Sequence, residues 1–209
     1  MRNAQTYKLL DAAAVRAISS STDATPIVVT TSTAHGLSTA DLVQISGHTT
    51  NIAAYGLRKI TKTGASAFSL QDPDTGNDIA GSGAGAGSGG VFSLAAKRVN
   101  VRDFRHVVLH FDTDGGGDAA FTVKLVGSAL EDCPDFAAAQ ADDNQYDYIQ
   151  MVDLEDGSAV DGDDGFVVAT ADDHRVFEAN VNGLNWISVV PTAGSAGEIT
   201  VTATAYENR

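Results

Sequence analysis

Ile199-Thr200-Val201-Thr202-Ala203-Thr204-Ala205, the centre of the stretch Glu198–Tyr206, alternates apolar and β-branched polar residues with a period of two. That period belongs to a β-strand with one buried face and one solvated face. Working outward, further strands are predicted at Phe104–Phe111, Phe121–Gly127, Tyr146–Leu154, Phe166–Thr170, Arg175–Val181 and Trp186–Val190. Turn-forming segments rich in Asp, Gly and Asn separate them: Asp112–Asp118, Leu130–Asn144, Asp156–Asp164, Asn182–Gly183 and Thr192–Gly197. Short strands with regular turn signals predict an antiparallel β-sandwich or jelly-roll-like domain over residues 96–209. Within Leu130–Asn144, the run Pro134–Gln140 has room for one or two helical turns.

Toward the N-terminus the strand pattern continues in a smaller unit. Ile27–Thr31, Asp41–Ser46, Leu57–Thr63, Ala67–Leu70 and Val91–Leu94 read as strands, with a turn at Ala34-His35-Gly36-Leu37. Residues 81–90, Gly-Ser-Gly-Ala-Gly-Ala-Gly-Ser-Gly-Gly, have no side chains with which to build a core, so a flexible loop is expected. Residues 7–18 fit a short Ala-rich helix and a first strand equally well. The fold class is therefore all-β. A small β-barrel-like module at 20–95 is expected as an insertion into the larger sandwich, with residues 1–19 as an arm that packs with 96–209.

The chain has 209 residues and a net charge of −14. The charge is one-sided. Residues 1–99 carry eight Lys and Arg against six Asp and Glu, whereas residues 100–209 carry five against 21. A surface this acidic repels phosphate, so no nucleic-acid partner is expected. Cys133 is the only cysteine, which excludes an intramolecular disulfide. The segment Leu9–Ile18 is interrupted by Asp11 and Arg16, and no run reaches the roughly 18–20 apolar residues of a membrane helix, so neither a signal peptide nor a membrane partner is expected.

Several groupings invite a chemical reading. His106 and His110 have the i, i+4 spacing that chelates metals on a helix. On a strand they stand about 13 Å apart, too far for one ion. Asp112-Thr113-Asp114-Gly115 and Asp161-Gly162-Asp163-Asp164-Gly165 resemble calcium loops, but lack the twelve-residue spacing and closing Glu of an EF-hand. Gly83, Gly85 and Gly87 imitate part of a phosphate-binding loop without the strand, helix or Lys it requires. His174 follows two aspartates but has no nucleophile elbow nearby. Asp132 and Asp135 flank Cys133 and would raise its pKa. Trp186, in an apolar strand, is expected in the core. No catalytic residue, cofactor or metal is predicted, and the protein is expected not to be an enzyme.

Two stretches carry a resemblance. Thr33-Ala34-His35-Gly36-Leu37-Ser38, Asp41-Leu42-Val43-Gln44-Ile45-Ser46-Gly47, Tyr55-Gly56 and Ala67-Phe68-Ser69-Leu70 together resemble a small β-module common in phage virion proteins. That module is often likened to the first catalytic-cysteine half-domain of ubiquitin-activating enzymes. Here Ala40 stands where the module usually has a glycine. Asp103–Leu109, Gln145–Ile149 and Asn180–Ile187 look like small phage structural proteins of the capsid-decoration and tail-accessory kind. The resemblance implies a virion protein made in the host cytoplasm. Its implied role is a decoration (cement) protein bridging capsomers, with the major capsid protein and copies of itself, commonly as a trimer, for partners. A tail, collar or head-fibre component and a receptor- or glycan-binding adhesin are the alternatives. Arg2, Lys8 and Arg16 on the arm and Tyr146 and Tyr148 on one strand face are the candidate interface residues.

Overall fold

A computed structural model of the chain describes residues 4–114, 121–136, 145–168, 174–194 and 196–207. These residues form strands, one 3-10 turn at Ile52–Ala54 and no α-helix. The first six strands are β1 (Ala4–Ser21), β2 (Val28–Thr31), β3 (Leu42–Ser46), β4 (Gly56–Lys62), β5 (Ala67–Gln71) and β6 (Val91–Leu94). Then follow β7 (Val99–Asn100), β8 (His106–Asp114), β9 (Phe121–Ser128), β10 (Asp147–Tyr148) and β11 (Met151–Asp153). The last five are β12 (Ala159–Val160), β13 (Phe166–Val168), β14 (His174–Asn180), β15 (Trp186–Gly194) and β16 (Ala196–Tyr206).

β1 resolves the ambiguity of residues 7–18. It is one strand of 18 residues that serves two bodies. From Ala4 to Arg16 it pairs with β16. From Arg16 onward it pairs with β6 on one side and β2 on the other. Two register shifts, between Lys8 and Leu10 and between Leu10 and Ala13, bend it between these partners, and Ala12 takes a positive φ of 43° there. The open backbone edges of β16, β2 and β6 outweigh the helix propensity of the alanines.

The C-terminal part of β1 closes a six-stranded antiparallel barrel in the order β1-β2-β5-β4-β3-β6. Closure removes the sheet edges. Ile27, Val29, Val43, Ile45, Ile60, Phe68, Leu70 and Phe92 fill the interior. The turn before β3 contains Ala40 at φ 79°, so the non-glycine residue occupies the left-handed conformation that the module's usual glycine would adopt freely.

The N-terminal part of β1 joins β16, β8, β14, β11 and β12 in one layer of a sandwich. The second layer is β10-β9-β15-β7, with β13 also paired to β9. Phe111, Phe166 and Phe177 meet edge-on or tilted in the core between them, with ring centroids 5.1–5.4 Å apart. The single strand expected at Tyr146–Leu154 is two strands in different layers. Tyr148 pairs with Val126 of β9, and Met151 pairs with Val160 of β12, so the chain crosses the sandwich at Ile149-Gln150.

The barrel covers the flank of the second layer. Gln44 Nε2 donates to Val189 O at 3.4 Å, and the Ser46 hydroxyl donates to Pro191 O. These carbonyls of β15 lie beyond the two-residue pairing with β7, where a bare edge would expose them. From Val43 to Ser46 β3 is thus buried on both faces, which explains why its polar Gln44 and Ser46 are buried along with Val43 and Ile45.

Candidate functional site

The predicted interface residues do not form one patch. Arg2 and the run Ala137–Gln140 lie outside the described residues. Lys8 is exposed on the outer face of the large sheet and pairs with Asp11 at 2.8 Å. Arg16 is half-buried and spent on its own chain: Nη1 donates to Gly197 O at 2.8 Å and Val15 O at 3.0 Å, fastening β1 to β16. Tyr146 does not pack outward. It is 8% exposed and sits edge-on to Phe136, centroids 5.6 Å apart, over Val126 and Val190 on the outer side of the small sheet. Tyr148 meets Tyr146 at 6.2 Å, and Lys124 Nζ caps its ring 4.1 Å from the centroid. Burial pushes the Tyr148 hydroxyl above its usual range.

Trp186 belongs to this same cluster and not to the main core. It is half-buried, and its indole N–H donates to Glu131 O at 3.0 Å. Cys133 packs against the same cluster. Its thiol is raised chiefly by burial; Asp135 adds to the rise and Arg98 opposes it, so the flanking acids are the lesser cause. Asp135 reaches across to the barrel, where its Oδ2 accepts the Leu57 N–H at 2.8 Å. Next to it Arg58 donates to Leu57 O and Ala53 O. Burial draws its guanidinium below the ordinary value, while Asp135 and Asp72 support the charge. This junction was not legible in the sequence, because 78 residues separate its two ends.

The buried histidines hold the barrel together. His35 Nδ1 accepts the Leu37 N–H at 3.0 Å, which places the ring proton on Nε2, facing Gly64 O at 3.1 Å. His48 uses the other tautomer: Nδ1 faces Gly89 O at 2.6 Å and Nε2 faces the Ser21 hydroxyl at 2.8 Å. A Ser–His contact of this length is the geometry of an activated nucleophile. Both residues are only 2% exposed, and Gly87 lies against the ring, so no substrate reaches the hydroxyl. Asn51 extends the network to Thr22 O and to the N–H of Ser82.

The Gly-rich stretch is accordingly tied down and is not a free loop. Gly81 donates to Ala24 O, Gly87 exchanges backbone bonds with Ser21, and Ile18 donates to Gly90 O. The N–H groups of Gly83 and Gly85 grip the two oxygens of Asp23 at 3.0 and 2.8 Å. The phosphate-like pattern is a nest of amides that binds the chain's own carboxylate.

The calcium-like pattern at Asp161 is a turn, in which Asp161 Oδ1 accepts the Asp163 N–H at 2.9 Å. At the other, Asp112 lies within β8, and Gly115 is outside the described residues. Among the described residues no three His, Cys, Asp or Glu side chains are grouped to hold a metal ion. Among them, too, no helix is long and apolar enough to cross a membrane.

One broad surface remains: the outer face of the large sheet. Pairing aligns Val152, Glu178, Val108, Thr204 and Thr6 in one row across five strands. The next row holds Val176, His110, Thr202 and Lys8, with Leu154 joined to Val176 by a backbone bond. His106 stacks on Tyr206 and faces Glu178 at 3.3 Å, and the Tyr206 hydroxyl also donates to Glu178. His174 pairs with Asp112 at 2.9 Å. His106 and His110 therefore point away from Val107, Leu109 and Phe111, which are buried. No family model matches the chain, and no curated protein matches it.

Proposed function

We propose that the chain is a non-enzymatic structural protein of a bacteriophage particle, acting on the capsid exterior as a decoration protein that bridges capsomers. The observation that carries this reading is the commitment of the buried polar groups to architecture. His35, His48, Ser21, Asn51, Gln44 and Ser46 all hold backbone to backbone or barrel to sandwich. A strand continuous through both bodies gives a stiff unit, suited to binding across a shell by surface burial and avidity. The acidic second half disfavours nucleic acid and suits a basic patch on the major capsid protein.

The test is the copy number in purified particles, by quantitative mass spectrometry against the major capsid protein. Near-stoichiometric amounts support decoration. A few copies per particle move the protein to the tail, collar or a head fibre. Absence from the particle overturns the structural reading.

A further inference from the structure

We propose that Asn182 is a site of self-modification: the backbone nitrogen of Gly183 attacks its side-chain amide and leaves an aspartyl or isoaspartyl residue. The two residues form the tip of an exposed turn. The Leu184 N–H donates to Val181 O at 3.0 Å across it, and the Val181 N–H donates to Arg105 O at 2.8 Å at its base. Among the described residues no hydrogen bond holds the Asn182 side chain or the Gly183 N–H. Gly183 has no Cβ to shield its nitrogen, and at φ 88° the space where one would stand is open.

The other described asparagines lack this combination. Asn51 is buried, and both ends of its amide are bonded. Asn185 donates to Ala129 O and Leu130 O. Asn100 and Asn180 each accept a backbone N–H from two residues on, and a valine follows each. Asn77 is exposed, but Asp78 follows it, with a Cβ that crowds the attacking nitrogen.

The reaction needs only water. The Gly183 N–H gives its proton to solvent, and the nitrogen bonds to Asn182 Cγ. The Cγ–Nδ2 bond breaks, and Nδ2 leaves as ammonia with a proton from solvent. Water then opens the cyclic imide at Cγ, which gives aspartate, or at the Asn182 main-chain carbonyl, which gives isoaspartate. Nothing is oxidised or reduced. Either product adds a negative charge to a chain already at −14. The new carboxylate lies beside the basic run at 97–105, where Arg102 donates to Asn185 Oδ1 and Arg105 O holds Val181.

The experiment is a time course of the full chain at neutral pH, folded and in urea, read by peptide mass mapping and by enzymatic methylation of isoaspartate. Asn182 should convert severalfold faster than Asn77, Asn180 and Asn185, and as fast in the folded chain as in urea. Isoelectric focusing should show a growing acidic band that Asn182→Ser removes. Gly183→Ala should slow the conversion severalfold, with an unchanged circular dichroism spectrum. An Asn182 that stays intact in the folded chain overturns the proposal. So does conversion no faster at Asn182 than at Asn77, or an acidic band that forms as fast in Asn182→Ser.

Discussion

The barrel encloses eleven buried apolar residues among those described, and the sandwich 26. Their buried polar residues run the other way. Ser21, Thr31, His35, Gln44, Ser46, His48, Asn51, Ser69 and Ser93 belong to the barrel, while Thr113, Ser128, Asp153 and Ser188 belong to the sandwich. A small core removes less apolar surface per residue. The barrel therefore adds specific hydrogen bonds where the sandwich relies on area. Its two histidines show the device: His35 bonds backbone through both nitrogens, and His48 bonds backbone through one and the Ser21 hydroxyl through the other.

The sharpest way to break this contrast is in the two cores. Phe111→Ala empties the meeting point of three phenylalanines, and Phe68→Ala removes the ring against which His35 and Phe92 each pack. Each should cost about 3–5 kcal/mol in urea unfolding. Because β1 contributes to both cores, either loss should shift the unfolding of the whole chain. Two separate transitions, with only one moved, would show that the bodies fold independently.

A smaller effect separates the two kinds of core. His48→Ala leaves the Ser21 hydroxyl and the Gly89 carbonyl short of a partner and should cost about 1–3 kcal/mol. His110→Ala, on the exposed sheet face, should stay within about 0.5 kcal/mol. Equal losses from the two would mean that the barrel network adds nothing.

Ala40→Gly tests the strained turn of the barrel. At φ 79° an alanine carries about 1 kcal/mol of conformational penalty that glycine lacks, so a modest rise in melting temperature is expected. A fall would show that glycine's extra freedom in the unfolded chain outweighs the relief.

The smallest effects concern titration. Asp72 in the barrel and Asp156 in the sandwich are both held below the usual carboxylate value, by Thr75 and Ser158 respectively. A depressed carboxylate stabilises the fold above its unfolded value, and that contribution is lost as pH falls through the folded value. Asp156 is exposed and Asp72 lies partly exposed in a turn, so Asp72→Asn and Asp156→Asn should flatten the acid limb of the stability curve only slightly. Cys133 runs the opposite way: its raised thiol should be alkylated more slowly at mildly alkaline pH than the same thiol in the unfolded chain.

Much of the fold was legible because it is written in short-range patterns. The alternation in Ile199–Ala205 sets Val201 and Ala203 inward and Thr200 and Thr202 outward, as the structure places them. His106 and His110 fall on the outward face for the same reason. The site was less legible. Tyr146, Trp186, Arg58 and Asp135 owe their surroundings to partners far along the chain, and nothing in their neighbouring residues announces those partners.

The sequence by itself determined the all-β class, the faces of the strands, the position of the Gly-rich stretch and the acidity of the second half. These follow from side-chain periodicity, turn chemistry and composition. Tertiary structure alone decided that residues 7–18 are strand, that β1 belongs to two bodies and that a strand expected at 146–154 divides between two layers. It also decided that glycines 83 and 85 hold Asp23 and that His48 meets Ser21. Each of these depends on which backbone edge or polar atom arrives from a distant segment, and local propensity carries no record of that arrival.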